Sequence, residues 1–252
     1  MRSFVYATAI LLLTSFAASA QDVPATAPPP GGSTTPAPAD TAAPPPADAA
    51  PALAEQPGNP PMTGPQLLIS TSMGDITLQL DAVRAPKSVA SVLRYVRDRH
   101  YNGTVFYRVV KGFVIQMGSW DANVKGRPPG HGPTPLEADN GLSNLRGTVA
   151  LAHGADLMAS ADFFINLADN KSLDHLKDDT FNVTGFTVFG QVTSGMDVVD
   201  AISAVPVGDH GPMPGQAPVD PILIKKVSIV GEPDLPPAKA PAAKTPVRKK
   251  KT

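Results

Sequence analysis

The segment Phe106–Gly118 reads FYRVVKGFVIQMG and is the part of the chain that decides its fold. Two runs of β-branched and aromatic residues flank Lys111–Gly112, a pattern that predicts two antiparallel strands joined by a tight turn. Such a hairpin brings Arg108 beside the residues that follow the turn. The segment thus combines a cation with an aromatic ring, Phe113, and an amide, Gln116, and it lacks a nucleophile, a carboxylate pair and a metal ligand. This composition suits a reaction in which no covalent bond to the protein forms.

The segment resembles the signature of the cyclophilin-type peptidyl-prolyl isomerases, F-H-R-V-I-x-G-F-M-I-Q-G-G. Three further blocks resemble the family in the same order. Arg146–Ala152 is similar to its R-G-T-[IV]-[AS]-M-A strand, Phe163–Asn166 to its S-Q-F-F-I segment, and Val188–Val192 followed by Gly195–Val199 to its V-F-G-K-V segment and helix. Four ordered blocks are a far more specific signal than any one of them alone.

Hydrophobic periodicity predicts many short strands and two helices. The helices are Pro86–Arg99 and Gly195–Ser203, and Gly118–Asn144, which has no clear period, is predicted to be a loop. The predicted strands are Leu67–Thr71, Ile76–Leu80, Thr104–Val110, Phe113–Met117, Thr148–Ala152, Phe163–Leu167, Thr187–Val192 and Ile222–Val230. The resemblance implies a mainly β fold, a closed eight-stranded antiparallel β-barrel capped by two helices, with the active groove on its outer face.

Composition divides the chain into four zones. Residues 1–20 have an arginine near the start, a short apolar run and a final Ala-Ser-Ala, which predicts a secretory signal peptide cleaved after Ala20 rather than a membrane anchor. Residues 21–65 hold 14 of the 29 prolines and predict a disordered linker. Residues 66–230 form the cyclophilin-like isomerase domain, and residues 231–252 a disordered basic tail. The predicted location is therefore outside the cytoplasm, in the periplasm if the source is Gram-negative.

The resemblance assigns the catalytic roles to Arg108, Phe113 and Gln116. Arg108 would donate a hydrogen bond to the proline nitrogen as the peptide bond twists, while Gln116 would hold the substrate carbonyl and orient Arg108. Phe113 would form the floor of an apolar pocket for the proline ring, with walls from Val114, Phe164 and Leu173. Residue type alone would instead place these apolar residues in the core and Arg108 in a surface ion pair.

Further substrate contacts are implied at Ala152 and His153, where the backbone of the family contacts the substrate. Tyr107 stands where many relatives have a histidine, and we expect its ring to support Arg108. Asp162 replaces a glutamine at the rim of the groove. Its carboxylate is expected either to favour basic or amide-rich substrates or to pair with His153, in which case activity would change near the histidine pKa.

Two other departures concern an inhibitor of eukaryotic members of the family. Ser172 stands where those members carry a tryptophan that contacts cyclosporin, and Phe186, a further substrate-binding candidate, stands where they carry a histidine. The sequence therefore predicts weak cyclosporin binding. Met117 replaces a glycine of the signature and is expected to narrow the groove locally.

The leading hypothesis is a peptidyl-prolyl cis–trans isomerase that acts on proline-containing unfolded or flexible polypeptides and assists the folding of exported proteins. Two alternatives stay open: a non-catalytic proline-peptide-binding or chaperone module of the same fold, and a surface-tethering protein that acts through its proline-rich and basic ends. No cofactor, metal or nucleic acid is expected, because the histidines lack metal-ligand spacing and no glycine-rich nucleotide motif is present. A monomer is expected, and six positive charges from Lys239 onward permit weak contact with an anionic surface.

Overall fold

The computed structural model describes residues 58–177 and 182–233. The predicted signal peptide, nearly all of the linker and most of the basic tail lie outside these residues. None of the helices in the described ranges is long and apolar enough to cross a membrane.

Eight strands of six to nine residues and two α-helices make up the main architecture. The strands are β1 (Gln66–Thr71), β2 (Asp75–Leu80), β3 (Thr104–Val110), β4 (Val114–Asp121), β5 (Thr148–His153), β6 (Met158–Asn166), β7 (Val188–Ser194) and β8 (Ile224–Ile229). The helices are α1 (Pro86–Arg97) and α2 (Met196–Ser203), with a short 3₁₀ turn at Lys171–Leu173. Two-residue strands are Thr134–Pro135, Leu176–Lys177, Asn182–Val183, Val207–Gly208 and Ala217–Pro218.

The eight strands form one antiparallel sheet in the order β8-β1-β2-β7-β5-β6-β4-β3. The sheet curls until its two edge strands meet, through a bridge between Val105 and Leu223. Close by, the amide of Gly103 donates to the carbonyl of Ile224 at 2.8 Å, and that of Phe106 to Ile222 at 3.1 Å. The predicted eight-stranded antiparallel barrel with two helices is confirmed, in a nearly closed form.

The barrel interior is filled by alternate residues of each strand. In β1 and β2, Leu67, Ile69, Ile76 and Leu78 are fully buried, whereas their sequence neighbours are half-buried or exposed. Aromatic rings fill the centre, and the Phe163 ring meets the rings of Tyr101 and Phe189 edge-on at 5.5 and 5.8 Å. Because the period of a strand is two, the residues between these core positions face outward, and they include the site described below.

Both helices are shorter than predicted, for reasons of backbone geometry. α1 ends at Arg97 because Arg99 adopts a left-handed conformation with φ of 57°. α2 begins at Met196 rather than Gly195, since Gly195 turns into the helix with φ of 83°. A side chain at Gly195 would lie 2.2 Å from the carbonyl oxygen of Asp75, so only glycine fits there.

The prediction of a loop throughout Gly118–Asn144 is wrong at two places. β4 continues through Gly118 to Asp121, and Thr134–Pro135 pairs with the start of β6. Glycine commonly ends a strand, but Gly118 lies inside one with φ of 141°. A Cβ there would lie 2.7 Å from the Cα of Asp162, so this glycine marks a close approach of two backbones.

Candidate active site

Strand register places the central residues of the site in one row across five strands. Arg108 on β3 lies opposite Gln116 on β4, which lies opposite Phe164 on β6. Phe164 in turn lies opposite Ala150 on β5, and Ala150 opposite Val188 on β7. Directly opposite residues of antiparallel strands project from the same face. The row therefore runs from a cation through an amide to an apolar surface on the outside of the barrel.

The Arg108 guanidinium is half-buried and held at two of its nitrogens. Its Nη1 donates to Oε1 of Gln116 at 3.1 Å, and its Nε donates to Oε1 of Gln216 at 2.6 Å. The carbon at the centre of the guanidinium lies 6.0 Å from the centre of the Phe113 ring, at the outer limit of a cation–π contact. Burial lowers the pKa of Arg108 from its ordinary value, but an arginine starts so high that it remains a cation at physiological pH.

Gln116 is buried, and both the oxygen and the nitrogen of its side-chain amide are hydrogen-bonded. Its carbonyl oxygen accepts from Arg108, and its Nε2 donates to the hydroxyl of Tyr107 at 2.5 Å. Burial, and after it the charge of Asp162, raises the pKa of the Tyr107 hydroxyl, so that the phenol stays neutral. Tyr107 thus supports Arg108 indirectly, because its hydroxyl is bonded to Gln116.

A second apolar cluster, separate from the barrel core, lies beside this polar end of the row. Its buried members are Met62, Val114, Leu142, Ala150, Phe164 and Val188, and the half-buried side chains packed against them are Phe113, Ala152, Leu173 and Phe186. The apolar site residues predicted from the sequence are therefore together in one surface. Val114 and Phe164 are buried in this cluster, whereas Phe113, Ala152, Leu173 and Phe186 stay partly exposed at its edge.

Aromatic contacts form one wall of this surface. The Phe186 ring meets the Phe164 ring edge-on at 5.4 Å and stacks on the His153 ring at 4.4 Å. The Phe186 amide donates to the Leu173 carbonyl at 2.8 Å, which links the wall to the 3₁₀ turn. The Nε2 of His153 lies 3.0 Å from the Gly185 carbonyl oxygen, so His153 fixes the segment that carries Phe186.

Asp162 and His153 are not paired, and the proposed coupling between them is wrong. The carboxylate of Asp162 accepts from the amide of Ser119 at 2.9 Å and from the Ser119 hydroxyl at 2.6 Å. The ring nitrogens of His153 instead lie near backbone carbonyl oxygens, Nδ1 at 2.9 Å from that of Gly154 and Nε2 at 3.0 Å from that of Gly185. Burial raises the pKa of the Asp162 carboxyl, and the bonds from Ser119 act in the opposite direction.

Gln216 is the principal site residue that sequence reasoning missed. It lies 108 positions from Arg108, in a stretch rich in glycine and proline that has no hydrophobic period and belongs to none of the four motif blocks. Asn170 was missed for a similar reason, although its Nδ2 donates to the carbonyl of Phe113 at 2.9 Å and fixes the turn that carries this ring. No pattern in the sequence indicates either contact.

The chemistry of the site is that of a donor above an apolar surface. Within the described ranges, no three histidine, aspartate or glutamate side chains are grouped so as to hold a metal ion. The site combines a fixed cation, Arg108, with an oriented amide, Gln116, and an apolar cleft. These groups can bind and polarise a substrate amide without forming a covalent intermediate.

Comparison with known proteins gives a consistent result. The family model described as cyclophilin type peptidyl-prolyl cis-trans isomerase matches residues 66–229. Peptidyl-prolyl cis-trans isomerase A of Dickeya dadantii is 42% identical over 169 residues, which cover 67% of this chain and 86% of that protein. Peptidyl-prolyl cis-trans isomerase B of Escherichia coli is 39% identical, with 63% of this chain and 96% of that protein covered.

Solved structures agree on the fold. A cyclophilin type peptidyl-prolyl cis-trans isomerase of Cryptosporidium parvum superposes with a TM-score of 0.53 at 23% identity, covering 67% of this chain and 99% of that one. A crystal structure of that protein in the presence of the dipeptide Ala-Pro also superposes with a TM-score of 0.53, at 21% identity. At this level of identity the likeness concerns the fold alone.

Proposed function

Because this chain belongs to the cyclophilin type peptidyl-prolyl cis-trans isomerase family and is such an isomerase, we propose that Arg108, Phe113 and Gln116 form its catalytic centre. The observation that carries this proposal is the position of the Arg108 guanidinium. It is bonded to Gln116 at 3.1 Å and lies 6.0 Å from the centre of the Phe113 ring. A cation is thereby held beside the apolar surface that includes Phe113 and Phe164.

The reaction needs a donor that prefers the twisted state of the substrate. Resonance keeps the peptide bond before proline planar, with a barrier to rotation of about 18–20 kcal/mol. Halfway through the rotation the nitrogen loses its conjugation and becomes a better hydrogen-bond acceptor. A guanidinium N–H aimed at that nitrogen stabilises the twisted state more than either planar isomer. The bonds of Arg108 to described residues use Nε and Nη1, which leaves Nη2 to donate to the substrate.

The apolar cluster provides the pocket for the proline ring. Phe113 and Phe164 contribute floor and wall, with Val114, Leu173 and Phe186 around them. The planar amide carries more charge separation than the twisted one, so transfer from water into an apolar cleft also favours rotation. Gln116 gives one of its two amide hydrogens to Tyr107, and the second can donate to the substrate carbonyl.

A protease-coupled assay on a Xaa-Pro peptide tests this assignment. Arg108→Ala is expected to lower kcat/KM by about 100-fold, the usual cost of removing one transition-state donor. Arg94→Ala removes an exposed arginine from α1 and is the matched control, expected to leave activity unchanged. Arg108→Ala with nearly the parent activity would contradict the assignment. Peptide binding by the parent without acceleration would favour the alternative of a non-catalytic binding module.

We further propose that the enzyme is exported and assists the folding of exported proteins in the periplasm. The signal-like composition of residues 1–20 supports this, and the absence of cysteine from the chain permits an oxidising compartment. Cell fractionation and N-terminal sequencing are expected to find a periplasmic protein that begins at Gln21. A cytoplasmic protein that retains Met1 would contradict export.

Three finer properties of its interactions are also proposed: weak cyclosporin binding, a monomeric state and weak contact of the basic tail with anionic surfaces. Ser172, at the position of the cyclosporin-contacting tryptophan of eukaryotic members, is exposed in the 3₁₀ turn next to Leu173. Ser172→Trp is expected to tighten cyclosporin binding by about tenfold, since an indole adds a large apolar contact. A submicromolar dissociation constant for the parent would contradict this expectation.

A further inference from the structure

The segment that joins α2 to β8 crosses the barrel edge beside β3, and its main chain is fixed there. The amide of Val109, the residue after Arg108, donates to the carbonyl of Gln216 at 2.7 Å. Next to Gln216, Ala217 is buried, and a side chain at Gly211 would lie 2.5 Å from its Cβ. His210 closes the segment through a contact of its Nε2 with the Pro218 carbonyl oxygen at 2.5 Å. Gln216 therefore projects from a supported backbone.

The side chain of Gln216 makes the shorter of the two bonds to Arg108. Its Oε1 accepts from Nε at 2.6 Å, compared with 3.1 Å for the bond from Nη1 to Gln116. Nε lies at the root of the guanidinium plane, so the two bonds together fix both the position of the plane and its rotation. With the bond at Nη1 alone, the guanidinium group could still rotate about that hydrogen bond, and its plane would not be fixed.

Both partners of Arg108 are neutral amides. Among the described residues the ion pairs involve Arg84, Arg97, His131 and Arg146, and none of them includes Arg108. A carboxylate at the same distance would hold the guanidinium equally well, but its negative charge would oppose the field that Arg108 exerts on a substrate nitrogen. An amide oxygen orients the cation and leaves its charge uncompensated.

We propose that Gln216 is a positioning residue for isomerisation: it aligns Arg108 through Nε while keeping the guanidinium free of a counter-ion. The inference rests on the catalytic role of Arg108 proposed above. It assigns to the segment between α2 and β8 a part in catalysis although that segment belongs to none of the motif blocks. It also explains why a half-buried glutamine, and not an acidic residue, faces this arginine.

Three variants test the proposal. Gln216→Ala removes the acceptor, Gln216→Glu keeps an acceptor of the same length but adds a negative charge, and Gln66→Ala is a matched control on β1. Gln216→Ala is expected to lower kcat about tenfold with little change in KM, because orientation acts on the rotating state. Gln216→Glu is expected to lose at least as much activity although the hydrogen bond is retained. Gln66→Ala is expected to match the parent.

The ¹H–¹⁵N correlation spectrum of the arginine Nε–H groups supplies a readout that a purely structural role would not give. The parent is expected to show a slowly exchanging Arg108 Nε–H signal, which Gln216→Glu retains and Gln216→Ala loses. An unchanged kcat in Gln216→Ala would overturn the positioning role, and full activity of Gln216→Glu would overturn the need for a neutral partner. If Arg108→Ala itself keeps activity, the proposed catalytic centre fails, which is a separate outcome.

Discussion

At the scale of single residues, the close approach of two backbones explains why a glycine, Gly118, lies inside β4. Gly118 lies in β4 with φ of 141°, and its missing side chain gives room to Asp162, whose carboxylate accepts two bonds from Ser119. The half-buried carboxylate and the glycine therefore depend on each other, because any larger residue at 118 would displace the strand that carries Phe163 and Phe164.

Gly118→Ala is accordingly expected to lower the free energy of unfolding by about 3 kcal/mol or more, since backbone strain and a clash add together. Gly112→Ala is the matched control. Gly112 also has a positive φ, of 71°, but a Cβ there would meet nothing within 4 Å, so only the strain of about 1–2 kcal/mol applies. Urea unfolding measures both values. Equal losses in the two variants would contradict the close approach described for Gly118.

At the scale of elements, the free backbone amides at the start of α1 are capped by a residue distant in sequence. The first turn of α1 contains no acidic residue, and no side-chain cap precedes it. Glu137 fills this role: its carboxylate accepts from the amide of Lys87 at 3.1 Å, and from the amide and hydroxyl of Ser88 at 2.9 and 2.7 Å. A carboxylate at a helix N-terminus also interacts favourably with the helix dipole.

Glu137→Ala is expected to destabilise the fold by about 1–2 kcal/mol, the usual range for the loss of a helix cap. Glu232→Ala is the matched control at the other end of the same helix, because it removes an exposed ion pair with Arg97 that is worth at most about 1 kcal/mol. The midpoints of urea denaturation compare the two. A larger loss for Glu232→Ala would contradict the capping role of Glu137.

The elements that the sequence predicted are those whose signal is local. The sequence pattern located α1 and most long strands to within a few residues. In β1 and β2 burial alternates with the period of a strand, whereas β3 and the first half of β4 are continuous buried runs rich in β-branched and aromatic residues. Thr134–Pro135 was missed because it depends on pairing with Ala159 and Met158 of a later strand. The continuation of β4 was missed because Gly118 suggested an end to the strand, although Asp121 still pairs with Thr104 of β3. The same holds in the site: the motif blocks supplied Arg108 and Gln116, whereas Gln216 is brought to Arg108 only by the closure of the barrel.

At the scale of the whole molecule, a buried histidine links stability to pH. His100 packs edge-on against Tyr95 at 4.9 Å and Tyr101 at 5.6 Å. Burial, with the neighbouring Arg127 charge as a second cause, lowers the pKa of His100 from 6.5 to about 4. The folded protein therefore excludes a proton that the unfolded chain binds below pH 6.5. The stability that depends on neutral His100 is complete above that pH and is lost as the pH falls towards 4.

One pKa unit corresponds to about 1.4 kcal/mol, so the lowered pKa of His100 contributes about 3 kcal/mol at most to the free energy of unfolding. Urea unfolding at about pH 7.5, 5.5 and 4.5 is expected to show a steeper loss of stability for the parent than for His100→Phe. The comparison isolates His100 because carboxylates titrate equally in both proteins. Parallel curves for the two proteins would contradict the burial of a neutral histidine.

The central claim is that Arg108 binds the half-rotated substrate more tightly than either planar isomer. NMR exchange spectroscopy on a Xaa-Pro peptide measures both the rotation rate on the enzyme and the affinity for the ground state. For Arg108→Ala we predict a rate lower by about 100-fold and a dissociation constant within about threefold of the parent. If rate and affinity fell together by the same factor, or if neither changed, Arg108 would not act on the transition state.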